Sequence, residues 1–541
     1  MLLGSPLELK RAASSIPSSL GVDRSLKELR EKLVNHNTAH GGSSSSLDDI
    51  ATELVTEDGL GKRENLLALL ACLQDLSGDT SEPSNKDADS AALKRIGDFA
   101  ARSICPIAVT PDDEIEGYHP TAADRARDLG ALSSAIQPLA EPALRIFSLL
   151  APSLSPDAVV TAIAHTDPSL PWTTPEAARQ AADVARAAAE RRGKTALIAD
   201  DVLRDYLRPL FSKSRPAAVT ASGRRAEFAE EPGAHGSLAL ETRAAKPWKH
   251  TDLRAVPVFA WALHEADKDL MAQHWPLFTP VLLTLLDDGD GDVRARGLGL
   301  LAVFLSRMDG ATLAATGLAA VFRDAVFPTL LFLPRSTPEA ESLRLQEPAY
   351  AALVALSRVG GKDGPDLALL DKALRDGVFT GFFYARDYIR VVEVLVRHAG
   401  LIVDEMKVHA VKHLKDLIPM ISSVMEEPFA MAHPPSLLAA IGAQQAVIRN
   451  CWPRLARPPW REEVVKSLVA CWLRARDDAN DASRKQASES VCAELACTAK
   501  MLAAVTRAEG TELTELVAPL TDREPLLVGL FGIAAPDATE A

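Results

Sequence analysis

Residues 275–305, WPLFTPVLLTLLDDGDGDVRARGLGLLAVFL, constrain the fold more than any other part of the chain. Two apolar runs of helical spacing are split by a short acidic turn, and the second run opens with Asp292-Val293-Arg294. A helix pair of this kind cannot bury its apolar face by itself. It has to stack on similar neighbours, which is the logic of an α-solenoid. On the second helix Val293, Gly297, Leu300, Leu301, Phe304 and Met308 form one apolar stripe. Gly297 on that stripe lets a neighbouring helix approach closely, at a helix-propensity cost of about 1 kcal/mol relative to Ala.

The remainder of the chain extends the pattern. Ser155-Pro156-Asp157, Thr174-Pro175-Glu176 and Thr337-Pro338-Glu339 share a helix-start grammar. A hydroxyl caps, proline fits the first turn where its missing N–H is harmless, and the acid faces the positive helix end. Alternating strand patterns rich in Val, Ile and Thr are lacking. The expected fold class is therefore all-α, an α-solenoid of degenerate HEAT-like helix pairs. The pairs expected in the C-terminal half are 277–286 with 292–308, 318–333 with 339–359, 384–399 with 405–425, and 436–451 with 460–475. Helices at 481–507 and 512–520 complete the series. Units recur irregularly, every 40 to 60 residues or about that. Asp292 and Arg294 stand where neighbour-to-neighbour pairing along the stack is expected.

Composition agrees with helices packed by Leu, Ala and Val: 47% of the 541 residues are hydrophobic and only 5% aromatic. The net charge of −14 disfavours nucleic acid and anionic membrane as global partners, because both need a basic face. The start, MLLGSPLELKRAA, lacks the charged opening and apolar core of a secretory signal. No apolar run approaches the roughly 18 residues needed to span a bilayer. Cys72, Cys105, Cys451, Cys471, Cys492 and Cys497 are scattered and read as reduced core thiols. The expected location is cytoplasmic and nuclear.

Three stretches read as linkers: 36–46 with its run of four serines, 77–90 with almost no apolar residue, and 212–246 with Pro216, Gly223, Pro232, Gly233 and Gly236. Such compositions cannot offset their ordering entropy by burial. The expected division is an N-terminal helical region with disordered insertions (1–211), a flexible linker (212–246) and a C-terminal HEAT-like repeat domain (247–541).

The motifs that would carry chemistry fail on their own requirements. Asp288-Gly289-Asp290-Gly291-Asp292 opens like a calcium loop, but Val293 and Gly299 stand where that loop needs its glycine and its bidentate Glu. His264-Glu265 begins like a zinc-protease helix, and Lys268 occupies the place of the second histidine. His409 and His413 share a helix face at i, i+4 but lack a third ligand nearby. Gly193-Lys194-Thr195 resembles the end of a phosphate loop, with Ala188 in place of its first glycine. No catalytic residue, metal ligand or cofactor is expected. Trp261, Trp275 and Trp472 read as core. Trp248 comes just after the long linker and Trp460 sits at a helix start, so each is either a staple fixing the incoming chain or an anchor for a protein partner.

One set of residues resembles a known family. Lys246-Pro247-Trp248-Lys249, Trp275-Pro276, Leu285-Leu286-Asp287-Asp288, Arg294 and Gly297 are similar to the second Tel-two-interacting protein family. So are Thr316-Gly317-Leu318, Val321-Phe322, Phe327-Pro328, Leu333-Pro334, Thr337-Pro338-Glu339, Ser342 and Ala349-Tyr350. The resemblance covers residues 246–359. It implies a non-enzymatic scaffold of the TTT co-chaperone complex, with a Tel-two-like protein and the first Tel-two-interacting protein as partners. It further implies an indirect link to phosphatidylinositol-3-kinase-related kinases and the ninety-kilodalton heat-shock chaperone machinery, with partner contact through the C-terminal repeats. The alternatives are a HEAT-repeat adaptor of another kind, such as a transport or phosphatase-scaffold subunit, and an enzyme whose site is assembled from residues distant in sequence.

Overall fold

The computed structural model describes residues 6–17, 20–40, 47–55, 61–78, 86–107, 122–214, 245–361, 364–478 and 484–532. Among them every regular element is helical, apart from one isolated antiparallel bridge between Ile107 and Asp252. No single described helix is long and apolar enough to cross a membrane. Two of the three expected caps form: the Ser155 hydroxyl accepts the Ala158 N–H and the Thr174 hydroxyl accepts the Ala177 N–H. Thr337 does not cap. Its N–H closes the preceding turn on the Leu333 carbonyl, and Pro338 takes the cap position without a side-chain bond. The expected linker at 36–46 is helical through His40, and that at 77–90 is helical at both ends, to Gly78 and from Lys86. The rest of both linkers lies outside the described residues.

The chain divides into two compact units between Val281 and Leu282, inside the helix Lys268–Leu286. This corrects the expected boundary at residue 247. Of the expected linker at 212–246, residues 215–244 lie outside the described set, but residues 245–281 belong to the first unit. Trp248 is 1% exposed and stacks on Phe211 with ring centroids 4.8 Å apart. The Leu253 N–H bonds the Pro106 carbonyl. Arg254, almost buried, completes the attachment. It donates to both carboxylate oxygens of Asp252, at 2.9 and 2.8 Å, to Asp157 at 2.8 Å and to the Thr161 hydroxyl at 2.7 Å. A buried guanidinium is tolerated only when its donors are met in this way. Sequence composition marks the linker but cannot reveal that the segment beyond it folds back.

The second unit is a two-layer stack. One layer holds the helices Gly291–Arg307, Glu339–Gly360, Ile389–Met406, Pro434–Leu455 and Lys485–Ala508, each packed on the next. The other layer holds the end of Lys268–Leu286, then Leu318–Val326 with its continuation to Leu331, residues 367–385, Leu414–Met425 and Trp460–Asp478. Each unit of the repeat is thus one helix from each layer, in the HEAT-like manner expected. The stripe on Gly291–Arg307 is buried at Gly297, Leu300, Leu301, Phe304 and Met308, with Val293 half-buried; Leu298 and Leu305 are buried beside it.

The expected pairing is wrong in register after residue 360. Residues 367–385 form a helical element absent from the expected series, and it, not 405–425, is the mate of Ile389–Met406. Leu414–Met425 then pairs with Pro434–Leu455. Gly377 and Gly381 lie inside this element. A Cβ on Gly377 would stand 2.8 Å from the Leu330 side chain and 2.9 Å from the Tyr350 hydroxyl; one on Gly381 would stand 3.1 Å from Leu395. Both glycines are contact points between packed elements rather than breaks in a helix.

Candidate functional site

Along the layer that begins with Gly291–Arg307, each helix pairs its charges with the next. Arg344 meets Asp292 at 2.9 Å, Arg397 meets Glu347, Arg358 meets Glu405 at 2.6 Å, and Arg449 meets Asp404 at 2.9 Å. Gln445 then donates to Glu494 at 2.9 Å, and Arg457 pairs with Glu509 at 2.9 Å. All six pairs lie 45 to 52 residues apart, which is the true period of the array. Asp292 therefore does what the sequence suggested. Arg294 acts differently, lying 4.9 Å from the Phe332 ring of the following pair. Exposed ion pairs are worth about 0–1 kcal/mol each, so the apolar layers hold the stack and the charges fix its register.

Tyr350 is fully buried and stacks on His398, ring centroids 5.0 Å apart. His398 stands 3.5 Å from Glu347, and together with Arg397 it holds that carboxyl below the usual range against partial burial. His413 meets Asp371 at 2.6 Å and Lys412 meets it at 2.7 Å. Burial opposes the charge on Asp371, yet hydrogen bonds from Lys412 and His413 keep its carboxyl low. The shared face expected for His409 and His413 does not exist, because Lys407–His413 is a 3-10 segment in which residues three apart eclipse. His409 is exposed while His413 is buried. No three His, Cys, Asp or Glu side chains converge among the described residues.

The other near-motifs have structural duties. The Asp288 carboxylate accepts the Asp290 N–H, and Asp290 in turn caps the next helix through the Asp292 N–H, both at 2.9 Å. Gly193 adopts φ +85° between two helices, and Lys194 pairs with Glu265 at 3.0 Å. Burial raises the thiols of Cys72, Cys105, Cys451 and Cys471 to about 12. All six cysteines are free, and Cys497 alone is exposed.

The two candidate anchors part company. Trp248 is sealed: besides stacking on Phe211 it donates its ring N–H to Ser214 at 3.0 Å, so it is a staple and leaves the set of surface anchors. Trp460 is half-buried at the first position of its helix, while Trp452, across the same turn, is 43% exposed. Sequence reasoning passes over Trp452 and the charge ladder. A search for opposite charges at a separation near 50 residues would find the ladder.

The Tti2 family model matches residues 158–432 of the chain, which spans both units. Among solved structures the chain is similar to Kap121p, with 13% identity and a TM-score of 0.41 over 97% of this chain and 55% of that one. It is likewise similar to Kap121p bound to Pho4p, with 12% identity and a TM-score of 0.40 over 96% and 53%. The chain spans about half the length of these structures.

Proposed function

The chain belongs to the Tti2 family, and on that premise we propose that it is a non-enzymatic scaffold subunit of the TTT co-chaperone complex. Its partners on this reading are a Tel-two-like protein and the first Tel-two-interacting protein. Through them it supports maturation and stability of phosphatidylinositol-3-kinase-related kinases with the ninety-kilodalton heat-shock chaperone machinery, in cytoplasm and nucleus. The observation that carries the reading is the family match over residues 158–432. The stack supports it physically, since an array whose polar groups are spent on neighbour-to-neighbour pairing offers long surfaces for protein and no concentrated chemistry.

Affinity purification of the tagged full chain from its own cells, with mass spectrometry of the recovered proteins, tests the proposal. Recovery of a Tel-two-like protein, the first interacting protein and very large kinases is the expected result. Recovery of importin or phosphatase subunits in their place would overturn it.

A further inference from the structure

The described residues of the second unit expose nine large hydrophobic side chains, and the four most exposed share one edge. They are Leu331 (62%), Phe383 (74%), Tyr384 (59%) and Phe429 (81%). Each lies at or beside a turn that leads into a helix of the charge-ladder layer, namely the turns before Glu339, before Ile389 and before Pro434. In a stack of antiparallel pairs, turns of the same sense line one edge. Contacts tie the three together: Arg335 reaches Asp387 of the second turn at 3.6 Å, and His433 of the third meets Glu393 at 3.0 Å. Phe383 and Tyr384 pack edge-on against each other, 5.1 Å between centroids. Singly exposed hydrophobics need no explanation, but a row of them on three consecutive turns does.

Charge identifies the occupant. Arg335 and Arg386 share one carboxylate, Asp387, and Arg390 is exposed beside the same turn. The other two acids nearby, Glu339 and Glu393, are half-buried and Glu393 is engaged by His433, so the exposed charge at this turn is mostly arginine. An arginine excess around exposed aromatics, in a chain of net charge −14, selects for acidic groups. At the third turn Glu426 is held by Lys466 at 3.2 Å and Glu427 is exposed, so the excess ends before Phe429. Spacing narrows the choice further. Packed helices sit about 8–10 Å apart, and an α-helix returns the same face every seventh residue, about 10.5 Å along its axis.

We propose that this edge docks an acidic amphipathic helix of a partner protein, with apolar side chains at seven-residue intervals over Leu331, Phe383-Tyr384 and Phe429. Its carboxylates lie over Arg335, Arg386 and Arg390, and the end over Phe429 carries none. The inference rests on this surface alone, so it survives or fails independently of the identity of the complex.

The test uses the full chain and a fluorescein-labelled synthetic helix of about 21 residues, three such intervals, with Leu at every seventh position and Glu beside the first two. A twin carries Lys for Glu. The acidic helix should raise anisotropy on binding and its twin should not. Phe383→Ser with Phe429→Ser should weaken binding at least about tenfold with unfolding unchanged, since both side chains already face solvent. Arg335→Glu, Arg386→Glu and Arg390→Glu together should reverse the preference to the twin. Equal binding of both helices, binding of neither, or indifference to the Phe pair would overturn the proposal. So would concentration-dependent self-association in sedimentation that Phe383→Ser abolishes, because the occupant would then be a second copy.

Discussion

Gly400 and Gly442 lie on the helices Ile389–Met406 and Pro434–Leu455, which pack on each other, and alanine at the two positions should act in opposite directions. Around Gly442 nothing lies within 4 Å of an added Cβ. Alanine there gains helix propensity and nothing else, so it should stabilise by about 0.5–1 kcal/mol. At Gly400 the added carbon would stand 3.1 Å from the Ala443 Cα, 3.4 Å from its Cβ and 3.5 Å from its nitrogen. The Cα and nitrogen are backbone atoms in mid-helix, unable to swing aside as a side-chain tip would. Overpacking of this kind costs about 1–3 kcal/mol, which exceeds the propensity gain of about 1 kcal/mol. Gly400→Ala should therefore destabilise, and the two variants should differ by at least about 1 kcal/mol. Urea unfolding monitored by circular dichroism reads the difference directly. Should Gly400→Ala stabilise as much as Gly442→Ala, the close approach of the two helices is not what this position requires.

Trp248→Ala should destabilise the first unit by about 3–5 kcal/mol by removing the stack on Phe211, while Trp248→Phe should recover part of that; equal loss from both would contradict an apolar staple. His165 is buried against the Ile104 carbonyl, and burial depresses its pKa to about 4, below the 6.5 of an open chain. The unfolded state binds the extra proton between those values, so stability is full above pH 6.5 and falls toward pH 4, by about 2 kcal/mol at pH 5. His165→Gln should flatten that acid limb in urea titrations, and an unchanged limb would remove His165 as its source. A fragment spanning residues 247–541 lacks Phe211 and Ser214, which cover Trp248, and Asp157 and Thr161, which accept from Arg254, and keeps only Asp252 for that guanidinium. Limited proteolysis should trim it to the neighbourhood of Asp267, and protection of residues 247–265 would restore the boundary at 247.

Much of this fold was legible because burial and capping leave local traces. Leu300, Leu301 and Phe304 announce their buried face by spacing, and Ser155 and Thr174 announce helix starts by their hydroxyls. The features that stayed hidden depended on partners far along the chain. The role of Gly377 shows only with Leu330 and Tyr350 against it, and Trp248 stays open between staple and anchor until Phe211 is seen to cover it. Thr337 carries the same start signal as Ser155, yet the turn beginning at Leu333 claims its backbone. The candidate surface was the least legible part. Phe383 and Phe429 are 46 residues apart in sequence, and only the alignment of successive turns sets them on one edge.

The central claim, a chain that works by holding proteins together rather than by chemistry, is tested most directly by reconstitution from purified components. The full chain, a Tel-two-like protein and the first Tel-two-interacting protein are mixed in buffer containing a metal chelator and no nucleotide, and the mass of the products is read by light scattering after gel filtration. The account requires one complex containing all three chains under those conditions, formed without turnover of any small molecule. Separate elution of this chain from the other two, or assembly that appears only when nucleotide or metal is restored and this chain consumes or binds it, would contradict the account.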